Sequence, residues 1–143
     1  MTTPAPAPIE VADWTRAAKA FEPTMTAQVG APAQVALDAV AAGLTAQGYT
    51  VKAATPAGFR ASYRALLSGI LGLVATTDAN ILDRTLISVT AASSGDGTLL
   101  TISVDRGGQH RAGRTRGRAG LTTGLQDLQR RGVPVAVTQW RKD

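Results

Sequence analysis

Residues 84–106, RTLISVTAASSGDGTLLTISVDR, constrain the fold more than any other stretch. Ile87, Val89 and Ala91 alternate with Ser88, Thr90 and Ala92, and Leu100, Ile102 and Val104 alternate with Thr101, Ser103 and Asp105. A strand sends successive side chains to opposite faces, so each run has a mainly apolar face and a mainly polar one. Ser93-Ser94-Gly95-Asp96-Gly97 separates the two runs, and its glycines accept the positive φ of a tight hairpin loop. The stretch predicts an antiparallel hairpin at the centre of a sheet buried on one side. Ile87, Val89, Leu100, Ile102 and Val104 should face the core.

The remaining elements follow from the same periodicities. Residues 1–8, MTTPAPAP, bury too little apolar surface to order themselves and predict a disordered tail ahead of one domain over 9–143. Val11, Trp14, Ala18 and Phe21 recur at helical spacing and predict an amphipathic helix over about 9–21. That helix either packs on its own domain or docks a partner through Trp14 and Phe21. Residues 24–29 alternate as a strand, and Pro32 opens a helix with an Ala/Leu/Val stripe that Gly48 ends. Tyr49–Ala53 and Phe59–Tyr63 flank Pro56-Ala57-Gly58 as a second hairpin. Near the end, a helical pattern runs to Arg131, and Val133–Trp140 reads as a strand. Pro134 lacks a ladder donor, which assigns that strand to a sheet edge.

The fold class expected is therefore α+β. A two-layer domain has an antiparallel β-sheet with helices packed on one face, in β-α-β-β-β-β-α-β order after an N-terminal helix. Without its last strand, this order is similar to that of TATA-binding-protein-like folds. The likeness is one of architecture and carries no function.

Chemistry is sparse. The chain has no Cys and one His, and its carboxylates are not grouped at ligand spacing, so neither a thiolate nor a carboxylate metal site is expected. Asp105 and His110 lie close in sequence, but they read better as a strand end and a loop residue than as parts of a triad. No G-x-S-x-G elbow, phosphate loop or dinucleotide fingerprint occurs. No catalytic residue and no cofactor is expected, and the protein reads as a non-catalytic binding or accessory module.

Two segments supply candidate sites. Net charge is +5, and of the 15 basic residues only Lys19, Lys52 and Lys142 are lysine. Arg106, Arg111, Arg114, Arg116 and Arg118 crowd into one stretch, with no acidic residue between Arg106 and Asp127. Cations at a helix start oppose the helix dipole, so the cluster reads either as a merely solvated basic loop or as an anion contact, with weak, sequence-indifferent nucleic-acid binding as the alternative function. Gly113, Gly117, Gly120 and Gly124 also fall on one helical stripe beside Leu121, Leu125 and Leu128, as for a helix pressed onto a sheet. The competing reading keeps 107–117 as a loop and starts the helix near Arg118, because Arg114 otherwise falls on the leucine face. The second segment is 66–83, where Leu67, Ile70, Leu71 and Val74 either plug the core or lid an apolar pocket. The expected partners are a protein or an apolar small ligand. No apolar run is long enough for a membrane span, and a cytoplasmic monomer or homodimer is expected.

Overall fold

The computed structural model describes residues 8–12, 23–64, 84–105 and 111–142. Six strands, β1 (Pro23–Val29), β2 (Thr50–Thr55), β3 (Gly58–Arg64), β4 (Arg84–Ser94), β5 (Gly97–Val104) and β6 (Val135–Lys142), form one sheet in the order β2-β3-β4-β5-β1-β6. Every neighbouring pair is antiparallel, and the sheet is open, with β2 and β6 at its edges. Helices α1 (Ala33–Ala46) and α2 (Arg111–Arg130) complete the described elements. The α+β class and the strand order along the chain are as the sequence predicts.

The β4–β5 hairpin holds the middle of the sheet. Its register pairs Ile87 with Val104, Val89 with Ile102 and Ala91 with Leu100, which stacks apolar side chains directly across the strands. Ile87, Val89, Leu100, Ile102 and Val104 are all wholly buried, alongside Met25, Ala27 and Val29 of β1. The loop is two residues long, Gly95-Asp96, and Gly95 sits at φ 58°, where an L side chain would be strained. The opposite face carries Thr24, Thr26, Gln28, Ser88, Thr90, Thr101 and Ser103, none of them buried. That alternation explains why both helices lie on one side only.

The two helices cross in close contact, and the glycine stripe makes this possible. A Cβ on Gly120 would lie 2.9 Å from both the Gly43 carbonyl oxygen and the Leu44 Cα, and one on Gly124 would lie 2.7 Å from the Ala39 carbonyl oxygen. Gly120 and Gly124 therefore meet α1, which corrects for these two the expectation that the glycine stripe presses on the sheet; Gly113, at the start of the stripe, does press on it. There, a Cβ on Gly113 would fall on the hydroxyl of Thr85 in β4. A packed helix pair buries Leu121, Leu125 and Leu128 between α1, α2 and the sheet face.

Helix α2 begins at Arg111, so the reading that delays its start to Arg118 is also corrected. The first turns are held from outside the helix. Tyr49 Oη donates to the Gly113 carbonyl at 2.7 Å, and the Tyr49 ring contacts Tyr63 at 5.4 Å between centroids. Arg114 does lie along the leucine stripe, at helical spacing from Leu121, Leu125 and Leu128. It is half-buried, and its Nε has no hydrogen-bond partner among the described residues.

Burial pushes the Tyr49 phenol well above the ordinary tyrosine value, and neighbouring Tyr63 adds to the shift. The unfolded chain then loses this proton near pH 10 while the folded chain keeps it. This contribution to stability is complete below pH 10 and is lost as pH rises toward the folded value. Tyr49→Phe should cost about 1 kcal/mol at neutral pH. It should also flatten the alkaline fall in stability, read from urea midpoints between pH 9 and 11.

The N-terminal helix expected over 9–21 does not start at Ile9. Residues 8–12 are non-helical, because their main-chain groups are held by side chains of α2 and β6. The rest of that expected helix, with Trp14 and Phe21, lies outside the described residues. So do residues 1–7 of the tail, the segment 66–83 with Leu67, Ile70, Leu71 and Val74, and Arg106 and His110.

Candidate functional site

Along one face of α2 stand Arg118, Thr122, Gln126 and Gln129, at spacings of four, four and three residues. At 100° per residue these positions stay within one narrow stripe. Four polar side chains of this kind offer both donors and acceptors, so the stripe suits a backbone better than it suits a charged group. Facing it at the sheet edge, β6 adds Gln139 and Trp140.

Two neighbours on a regular strand point to opposite faces, yet Gln139 and Trp140 act on the same side. The cause is a β-bulge. Thr24 pairs with Arg141 and Thr26 with Thr138, so Met25 alone stands opposite both Gln139 and Trp140. A bulge of this kind re-aims a side chain that the pleat would send away. Here it turns two hydrogen-bonding side chains of an edge strand toward α2.

The cleft between them holds residues 9–12. Ile9 N–H donates to Gln129 Oε1 at 2.9 Å, and Gln126 Nε2 donates to the Ile9 carbonyl at 2.8 Å. Val11 N–H donates to Thr122 Oγ1 at 3.1 Å, while Arg118 Nε donates to the Val11 carbonyl. Gln139 spans two residues: its Oε1 accepts from Ala12 N–H at 3.0 Å, and its Nε2 donates to the Glu10 carbonyl at 3.2 Å. Trp140 Nε1 closes the set with a 2.7 Å bond to the Ala12 carbonyl. Of the main-chain groups at 9–12, only the Glu10 amide is not engaged among the described residues.

This segment behaves as a strand whose ladder is made by side chains. Val11 is wholly buried and Ile9 half-buried, while Glu10 and Ala12 are exposed, which is a period of two. From Ile9 to Val11 the contacts pass from Gln129 and Gln126 to Thr122 and Arg118, a shift along α2 that the long helix side chains share with the roughly 7 Å spanned by two extended residues. The segment runs antiparallel to the helix. Beside it, Glu10, Thr115, Arg118, Ala119, Thr122 and Thr123 line an open depression of about 390 Å³.

Of the basic stretch, Arg114, Arg116 and Arg118 are set around the helix rather than gathered on one side. Arg114 and Arg118 are one turn apart on the same side, and Arg118 turns to the Val11 carbonyl. Arg116 lies on the other side of α2. It is exposed, sits 5.7 Å over the Tyr63 ring and reaches the Gln47 carbonyl at 3.5 Å. Arg111 is the first residue of the helix. Among the described residues, no three His, Cys, Asp or Glu side chains group as a metal site, and no helix is long and apolar enough to cross a membrane.

Thr122, Gln126, Gln129 and Gln139 carry no motif, and inspection of the sequence passes over them. The only trace is that Gln126 and Gln129 lie three residues apart beside the leucine stripe, where a solvated helix face would more often carry charges. The bulge that recruits Gln139 leaves no mark in the sequence at all. Against known proteins, no family model and no curated protein matches the chain, and the reading of the cleft rests on its own geometry.

Proposed function

We propose that this protein is a non-catalytic binding module whose partner is a polypeptide, held as extended chain in the cleft between α2 and β6. One observation carries the reading. Side chains from two separate elements engage nearly every main-chain group of a short extended segment, and a bulge in the edge strand is what brings two of them there. Recognition through main-chain hydrogen bonds with a pocket for alternate side chains is how extended peptides are bound at sheet edges. In this cleft, glutamine amides take the place of the neighbouring strand.

The arginine segment enters this reading through Arg118, as a donor to a carbonyl. A donor of this kind tolerates any side chain on the bound segment, and specificity falls to the pocket that holds Val11.

The test is a titration of the full chain against short unstructured peptides with two β-branched residues two positions apart, followed by fluorescence anisotropy. Binding is expected, and Gln126→Ala with Gln139→Ala together remove three hydrogen bonds, one part-buried and two exposed, and should weaken it by at least about tenfold. No anisotropy change at millimolar protein with any peptide of that pattern would remove the reading.

A further inference from the structure

We propose that residues 9–12 are a resident competitor in this cleft. The partner's segment then shares their pattern: an apolar residue, a free position, a small β-branched anchor and a residue with an intact amide. The inference rests on the polypeptide-binding reading and specifies its partner and its regulation.

The requirements at each position come from the bonds already described. Val11 is the one wholly buried side chain of the segment, so the anchor must be short and β-branched to suit both the hole and the extended backbone. The amides at positions 9, 11 and 12 are all consumed, by Gln129, Thr122 and Gln139, so proline is excluded at each. Position 10 differs. Its amide is not engaged among the described residues and its side chain is exposed, and a proline there would also favour extended chain at the residue before it.

The hold on residues 9–12 is of a kind that can exchange. It consists of hydrogen bonds from side chains, one wholly buried valine and a half-buried isoleucine packed against the core, and the segment contributes no strand to the sheet ladder. A partner meets the cleft only in the fraction of molecules whose own segment is out, so its apparent affinity falls by that fraction. A tethered segment has an effective concentration in the millimolar range, which makes it a strong competitor.

The probe is the capped peptide APIEVAD, copying residues 7–13, titrated against the full chain and against Val11→Asp. The substitution alters the resident segment and leaves every cleft side chain in place. The probe should bind Val11→Asp at least about tenfold tighter than the native chain. A probe with proline at the valine position should lose binding to Val11→Asp, and one with proline at the glutamate position should keep it. Equal affinity for both proteins would overturn the competitor inference while the cleft still binds polypeptide. Loss of both affinities would overturn the binding reading itself. Amide hydrogen exchange on the native chain gives a second measurement, independent of whether Val11→Asp folds. Val11 and Ala12 amides should open far more often than those of Leu100 and Ile102, and saturating probe should speed them further. Exchange of all four in one shared event, unmoved by probe, would make the segment a fixed part of the core and end the proposal.

Discussion

Gly43→Ala should destabilise the protein by about 3 kcal/mol or more, although the same change at an exposed helix position stabilises by up to about 1 kcal/mol. The ordinary gain comes from removing backbone freedom in the unfolded chain. At Gly43 it is overridden by contact. A Cβ there would stand 2.2 Å from the Gly120 carbonyl oxygen, 2.8 Å from the Gly124 nitrogen and 3.1 Å from the Gly124 Cα. All three are backbone atoms of α2, and none can turn aside as a side chain would. The helices would have to separate, and separation opens voids around Leu44, Leu121 and Leu125, which are wholly buried. Gly95→Ala is the matched comparison. Its φ of 58° strains an alanine, but nothing lies within 4 Å of the added Cβ. It should cost only about 1 kcal/mol, the penalty for an L residue in that region. Urea denaturation of both variants, with unchanged m-values, separates helix contact from backbone strain.

That glycine contact also shows where a sequence stops being informative. Four glycines on one helical stripe announce that something approaches α2 closely, because glycine is a poor helix residue without such a reason. The identity of the approaching element is not encoded there. Gly43 lies in an alanine-rich helix whose small residues are equally suited to a sheet, and only the tertiary pairing decides between them. The hairpin is different in kind. Its alternation is a direct consequence of one buried face, so Ile87, Val89, Leu100, Ile102 and Val104 are identifiable from spacing alone.

The cleft sits at the other extreme. Residues 9–12 alternate in burial over only four positions, too few for a period to register, and Val11, Trp14, Ala18 and Phe21 also fit a helical spacing. What holds the segment non-helical is a set of glutamine, threonine, arginine and tryptophan contacts more than 100 residues away in the chain. Long-range side chain to main-chain bonds have no local signature. Arg114 makes the complementary point. Its clash with the leucine stripe was legible, and the helix formed regardless, since Gly113 against Thr85 and the Tyr49 bond fix the first turns from outside.

Ile102→Ala should cost about 2–5 kcal/mol, the range for deleting a large aliphatic side chain from a packed core. Ile102 is wholly buried on the helix-facing side of β5, between Met25 of β1 and Val89 of β4 in register, both also wholly buried. Rigid strands on both sides leave the site little ability to collapse, which places the cost toward the upper end. Thr101, one residue earlier, pairs with Thr26 and Thr90 on the open face, and Thr101→Val should change stability by less than about 0.5 kcal/mol. The buried face holds one position where the sign reverses. Thr85 is wholly buried, and its hydroxyl has no partner among the described residues, so Thr85→Val keeps the shape beside Gly113 and removes a polar atom that those residues leave uncompensated. It should raise stability by about 1 kcal/mol. A slip of one residue in the β4 and β5 registers would exchange the two faces, and then Ile102→Ala would be mild and Thr101→Val large. Thermal melts of the three variants distinguish the two registers by the order of their midpoints, with Thr85→Val highest and Ile102→Ala lowest in the register described.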